Sequence, residues 1–164
     1  LLATKYQRNF FTDGSLKTET LPESRYKFPL AVRLNYFAGD KFIIRSLYRY
    51  YIDSWGISAH SAELELPVKL TSFFSVSPFY RYHTQQGAKY FAPYGQHFPA
   101  EQFFTSDYDL STFHSNFFGV GLRFTPPKGV LGWQRLSMLE LRYGHYIRST
   151  SLASNIMSLN LKFK

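Results

Sequence analysis

The chain has 164 residues, of which 45% are hydrophobic, a formal net charge of +8 and no cysteine. This composition predicts one domain and excludes a disordered chain, and the lack of cysteine excludes disulfides and thiolate metal sites. The basic residues are spread along apolar segments rather than gathered in a patch or tail, which argues against a nucleic-acid partner. No apolar run reaches the roughly 18 residues of a membrane helix.

The first 24 residues fit a strand pattern poorly. The stretch LLATKYQRNFF could be the upper part of an early strand, followed by the polar loop TDGSLKTETLPES. Counting it would give eight strands, the smallest usual membrane barrel. Its alternation is irregular, and neither a signal peptide nor an initiator Met precedes it. We therefore expect the chain to be the C-terminal part of a larger barrel.

Seven later segments alternate apolar and polar residues with the period of two that is typical of β-strands. In chain order they cover 25–37, 42–53, 61–70, 73–83, 110–124, 138–148 and 156–164. The third, SAELELPVKL, places Ala62, Leu64 and Leu66 opposite Glu63 and Glu65. No charged residue falls on the apolar face of any of the seven strands, so each has one clean apolar face.

Two kinds of antiparallel barrel fit this pattern. A lipocalin-like soluble barrel would bury the leucines, whereas a membrane barrel would turn them to lipid. The apolar faces carry five or six residues each, enough for the strands of about 9–11 residues that cross a bilayer. Aromatic residues also gather toward the strand ends, as in interface girdles. The sequence therefore predicts an all-β, antiparallel transmembrane β-barrel of a bacterial outer membrane, with a girdle formed by Tyr36, Tyr50, Trp55, Trp133 and Phe163.

The lengths of the connections suggest which ends of the strands face outward. We expect the turns at 38–41 and 71–72 and the TPPKGVLGWQ link on the periplasmic side, and the links 54–57, 84–109 and 149–155 outside. The link 84–109 is too long for a mere connector and is rich in aromatic residues. It is predicted to plug the lumen or to bind a partner protein, through Tyr90, Phe91, Tyr94, Phe98, Phe103 and Phe104.

Several blocks of the sequence resemble a known family. WGISAHSAELELP, FYRYHTQ followed by YFAPY, SDYDLSTFHSNFFGVGLRF and LELRYGHYIR occur in the order found in domain of unknown function 3570, an uncharacterised family of bacterial outer-membrane proteins. The resemblance runs from about residue 20 to the end. It implies an outer-membrane barrel, and the greater length of typical members implies an N-terminal portion before this chain. It implies no activity.

The charged face of the predicted strands forms an Arg and Glu ladder along the lumen wall. Pairing across the turns places Arg33 beside Arg45, Arg45 near Glu65, and Glu63 near Arg81. Such a ladder can stiffen the wall, or its positive surplus can select anions. The complete predicted set is Arg33, Arg45, Arg49, Glu63, Glu65, Arg81, Arg123, Glu140 and Arg142.

Catalytic and metal sites are not expected. The five histidines lack metal-site spacing, and in FHSNF the adjacent His114 and Ser115 point to opposite faces of a strand, so they cannot act as base and nucleophile. We expect no enzyme activity and no cofactor. The predicted function is a structural or partner-binding barrel that contacts outer-membrane lipids and other envelope proteins. The alternative is a channel for small anionic solutes.

Overall fold

The structure, a computed structural model, describes residues 8–164, so predictions for residues 1–7 lie outside it. In this part the chain is all-β, with a single short 3₁₀ helix at Tyr108–Leu110. No helix among these residues has the length and apolar character needed to span a bilayer. The strands are β1 (Arg8–Phe10), β2 (Leu16–Thr18), β3 (Lys27–Ala38), β4 (Phe42–Asp53), β5 (Ser58–Glu65), β6 (Val68–Lys69), β7 (Phe74–Gln86), β8 (Phe113–Phe124), β9 (Leu136–Arg148) and β10 (Leu152–Phe163).

The main sheet of the described residues has eight strands, in the order β10-β9-β8-β7-β5-β4-β3, with β6 pairing to β4 and β7. Strands β8, β9 and β10 pair antiparallel in continuous register over most of their length. Strands β3 and β10 end this order, and every residue of both except Ala38 is exposed.

The N-terminal segment differs from its prediction. Residues 8–18 form a separate hairpin, β1-β2, rather than an early strand of the main sheet. The backbone of the turn after β1 is closed by bonds from Phe11 N to Ser15 O at 3.0 Å and from Thr12 N to His97 O at 2.9 Å. These contacts give the backbone N–H groups of the segment hydrogen-bond partners. In a strand of the main sheet, a neighbouring strand would provide those partners instead.

Two other strand predictions need correction. The segment 61–70 is not one strand, because β5 ends at Glu65 and β6 begins at Val68. Pro67 lies in the gap and has no N–H to donate to a ladder. The link predicted at 149–155 is only a tight turn, because β10 begins at Leu152, with Ser151 at a φ of 61°.

The main sheet exposes apolar side chains on one face and shields carboxylates on the other. Leu64 is 43% exposed, whereas the side chain of its neighbour Glu65 is 12% exposed. We call the side of the sheet that carries Leu64 the apolar face and the side that carries Glu65 the charged face. The exposed residues of the apolar face include Val32, Leu34, Phe42, Ile44, Tyr48, Leu64, Tyr80, Tyr82, Phe118, Leu122, Tyr143, Ile147, Met157 and Leu159.

The described chain divides into two compact units. The first comprises residues 8–30, 50–60 and 84–113, and the second comprises residues 31–49, 61–83 and 114–164. The first unit has its own core, formed by Trp55, Ile57, Ala88 and Leu110. The second unit carries the charged face.

Candidate functional site

The centre of the charged face is a carboxylate shared by two arginines. Arg45 on β4 donates to one oxygen of Glu65 at 3.2 Å, and Arg142 on β9 donates to the other at 3.3 Å. The Arg45–Glu65 pair confirms the contact predicted from the turn between their strands. Since both carboxylate oxygens are engaged, the charge of Glu65 is compensated within the protein.

A second carboxylate extends this chain of ion pairs. Glu140 on β9 lies directly opposite Arg123 on β8 in the strand register, and their charged atoms are 2.9 Å apart. Arg142 also approaches Glu140, at 3.8 Å. The side chains of both acids are nearly buried, at 11% and 12% exposed, while the three arginines keep 29% to 44% of theirs exposed. We call Arg45, Glu65, Arg142, Glu140 and Arg123 the ion-pair chain.

Aromatic rings occupy the charged face beside the ion-pair chain, which the sequence analysis did not foresee. The Arg142 guanidinium lies 4.7 Å from the centre of the Phe79 ring, and that of Arg81 lies 5.0 Å from the Phe117 ring. The two rings are 5.1 Å apart. The sequence did indicate that Phe79 lies on the charged face, because Phe79 and Arg81 are two residues apart on β7 and so point to the same side of the sheet.

Two glycines leave the space that these rings fill. Gly119 on β8 is paired with Gly144 on β9. A Cβ on Gly144 would overlap a ring carbon of Phe117. A Cβ on Gly119 would overlap the backbone of Tyr143 and Gly144 on β9 and would also lie 2.8 Å from a ring carbon of Phe79. The rings therefore rest on a stretch of sheet without side chains.

An open cavity of about 270 Å³ lies on the charged face, next to the ion-pair chain. Arg33 and Arg45, predicted to be neighbours, both line it, together with Glu63. The predicted approach of Glu63 to Arg81 does not form an ion pair in the described part of the chain, since Arg81 packs on Phe117 instead. Within residues 8–164, Arg33, Arg49 and Arg81 have no carboxylate at ion-pair distance.

The long link 84–109 is a folded part of the first unit, and most of its aromatic residues face inward. Phe104 is buried against Phe11, and Tyr90 packs edge-on against both Trp55 and Phe103. Phe91 packs against Tyr108. Only Tyr94 and Phe98 of the six predicted contact residues are mainly exposed, at 61% and 63%. Phe104 is therefore a core residue and not a docking residue.

Trp55 also lies elsewhere than predicted. It is buried in the core of the first unit rather than in an interface girdle, with the Arg25 guanidinium 4.3 Å from its ring. Arg25 in turn is paired with Asp53, which also accepts bonds from Tyr51 Oη and from the backbone N–H groups of Trp55 and Ile57. The turn after β4 is thus organised around one buried carboxylate.

A buried histidine lies where the long link meets the N-terminal hairpin, with the His97 ring 5.7 Å from that of Phe11 and its carbonyl accepting from Thr12 N. His97 Nδ1 lies 2.6 Å from Glu101 Oε2, and Nε2 lies 3.0 Å from the carbonyl oxygen of Thr105. The Thr105 hydroxyl donates to the carboxylate of Glu19, which follows β2. Burial raises the pKa of Glu19 above its ordinary value, and the nearby charge of Asp107 adds to this, while the bond from Thr105 opposes it.

The other predicted girdle residues are placed in several ways. Tyr36, Trp133 and Phe163 are exposed, and the last two pack edge-on at 5.7 Å. Tyr50 is half-buried beside His60, with ring centres 5.0 Å apart. A register shift between Lys162 and Phe163 ends the regular alternation of β10.

The apolar face also carries hydrogen-bonded polar groups, among them the amides of Asn116 and Asn155, which the sequence analysis missed. Tyr80 Oη donates to Asn116 at 2.6 Å, and Tyr143 Oη donates to Asn155 at 2.9 Å. The oxygen of Asn155 also lies 2.8 Å from His145 Nδ1. Polar groups on this exposed face are therefore bonded to one another.

Among residues 8–164, no three His, Cys, Asp or Glu side chains are grouped so that they could hold a metal ion. His114 is exposed and Ser115 is buried, which confirms that these neighbours point to opposite faces of β8.

A family model described as "Protein of unknown function (DUF3570)" matches residues 3–145. The chain belongs to the DUF3570 family. The match starts earlier than the resemblance expected from about residue 20, and it ends at β9 rather than at the end of the chain. No curated protein and no solved structure matches the chain.

Proposed function

We propose that this DUF3570 chain forms part of the wall of a transmembrane β-barrel in a bacterial outer membrane, with its apolar face toward lipid. The exposure of the two faces carries the proposal. Water-soluble proteins do not expose a contiguous apolar surface across seven neighbouring strands while shielding carboxylates on the opposite side. Strands β3, β4, β7, β8, β9 and β10 have 12 or 13 residues each, enough to cross a bilayer with the tilt of a barrel.

A spin-label experiment tests this placement. The chain has no cysteine, so Leu64→Cys and Glu63→Cys each create one labelling site on neighbouring positions of β5. In membranes, we expect the label at 64 to collide with oxygen, which dissolves in lipid, and the label at 63 to collide with a water-soluble nickel complex. Equal access of the nickel complex to both labels would refute the lipid contact.

Within such a barrel we propose a structural and partner-binding role, with the first unit as a rigid docking element. The core around Trp55 and the buried His97 support rigidity, and Tyr94 and Phe98 offer exposed aromatic contacts. The double variant Tyr94→Ala/Phe98→Ala should lose proteins that copurify in stoichiometric amount after gentle detergent extraction. Leu16→Ala, which trims another exposed apolar residue of the first unit, is the matched control.

One observation favours a second role, the passage of small solutes along the charged face. Arg33, Arg49 and Arg81 have no acidic partner among the described residues, so the face keeps a positive surplus that attracts anions. In planar bilayers, Arg49→Gln should reduce the preference for anions, measured from the reversal potential in a salt gradient. A barrel that conducts no ions would exclude this role.

A further inference from the structure

The cavity of about 270 Å³ on the charged face combines groups of opposite charge with an apolar wall. Its volume lies just below the range of about 300–1,000 Å³ found for ligand pockets, which restricts any occupant to a small molecule. Its lining includes Arg33, Asn35, Arg45, Leu47, Glu63 and Glu65.

The charged groups of this cavity differ in how far the protein satisfies them. Glu65 is fully engaged by two arginines, whereas Arg45 uses only its Nη1 in that bond, so most of its five N–H groups remain available. Arg33 and Glu63 face the same cavity, yet they form no ion pair with each other or with any residue of the described chain. The cavity therefore offers an uncompensated cation and an uncompensated anion.

We propose that this cavity binds a small zwitterion that carries one carboxylate and one ammonium group, of the class of free amino acids and dipeptides. The ligand carboxylate accepts hydrogen bonds from Arg33 and from the free donors of Arg45, and its ammonium group donates to Glu63. Leu47 provides the apolar contact for a short side chain. This inference goes beyond the passage of anions proposed above, because Glu63 offers an acceptor for a cationic group that an anion lacks.

Calorimetric titration of the detergent-purified full chain tests the site. Dialanine is the zwitterionic probe. N-acetylalanine carries only the anionic group, and alanine amide carries only the cationic group. We expect dialanine to bind at least tenfold more tightly than either comparison probe. Arg33→Gln and Glu63→Gln should each weaken dialanine binding at least tenfold. The matched control Lys41→Gln, which removes an exposed cation in the turn before β4 and off the cavity wall, should leave it unchanged.

A double variant that exchanges the two charges distinguishes a loss of binding from a failure to fold. Arg33→Glu/Glu63→Arg keeps one cation and one anion on the cavity wall, so it should recover most of the dialanine affinity lost in the single variants. The proposal would be overturned if dialanine does not bind, if N-acetylalanine binds equally well, or if Lys41→Gln causes an equal loss. If the label at 64 shows lipid contact and the label at 63 does not, but dialanine does not bind, only this site fails. If dialanine binds but lipid contact is absent, only the barrel placement fails.

Discussion

The shared carboxylate of the ion-pair chain gives the sharpest prediction about stability. Glu65→Gln removes the negative charge that compensates both Arg45 and Arg142. Loss of one partner of a fully buried pair costs about 3–5 kcal/mol, and an exposed pair is worth about 0–1 kcal/mol. The Glu65 side chain is 12% exposed, but the arginines keep 42% and 29% of theirs in contact with solvent. The expected loss therefore lies between these limits, at about 2 kcal/mol.

The free energy of unfolding can be measured by urea titration in phospholipid vesicles, with fluorescence from Trp55 and Trp133 as the signal. Glu63→Gln is the matched control, because Glu63 lies two residues away on β5 and forms no ion pair in the described chain. It should change the free energy of unfolding by less than about 0.5 kcal/mol. A double-mutant cycle with Arg45→Gln should recover a coupling of about 1 kcal/mol or more. If Glu65→Gln and Glu63→Gln cost the same, the ion-pair chain does not stabilise the sheet.

Three further predictions concern other contacts. Gly144→Ala should lower the free energy of unfolding by about 1–3 kcal/mol, because its Cβ would overlap the Phe117 ring. Gly121→Ala should cost less in the same urea titration, because the tightest contact of its Cβ would be with the flexible Arg142 side chain, at 3.3 Å. Asp53→Ala should destabilise the first unit by about 3–5 kcal/mol, because Arg25 and two backbone N–H groups lose their acceptor. In a Trp133→Phe background the fluorescence comes from Trp55 alone, and an emission that stays blue-shifted after Asp53→Ala would contradict this prediction. The pKa of Glu19 is raised in the folded chain, so its protonated form contributes to the stability of the first unit. This contribution is fully present below the unfolded pKa near 4.5, and it is lost as the pH rises through the higher folded pKa. Proteolysis of the link 84–109 should therefore become faster across that range in the native chain and change less with pH in Glu19→Gln, whose neutral amide oxygen still accepts from Thr105.

The regular part of the fold could be predicted from alternation alone. The bounds 42–53 of β4 agree with the structure, and so do the faces assigned to Leu64 and Glu65, because one buried and one exposed side impose a strict period of two. The Arg45–Glu65 contact followed from a short turn that fixes register. Local pattern was therefore sufficient wherever a strand pairs with its sequence neighbour.

The first unit could not be predicted in the same way. Trp55 resembles a girdle residue in the sequence because it follows a strand, but its burial depends on Arg25 and on Leu110, which are distant in the chain. His97 similarly joins the link 84–109 to the N-terminal hairpin through contacts that no periodic pattern encodes. Phe79 could be predicted in part. The alternation along β7 places it on the charged face, but only the structure shows that Gly119 and Gly144 leave room for aromatic rings there.

The exposed edge strands have a consequence for the proposed membrane placement of the protein. β3 and β10 have 12 residues each and end the order of strands in the described sheet. In each of them, about every second residue points its N–H and C=O groups away from the sheet. In hydrocarbon each unpaired group costs several kcal/mol, so a sheet with open edges would be expelled from the bilayer core. For the proposed barrel, insertion and the pairing of both edges are then one concerted event, whether the edges pair with each other or with further strands. Under that proposal edge pairing limits biogenesis, and a catalyst that shields open edges would accelerate it more than one that only delivers the chain to the membrane.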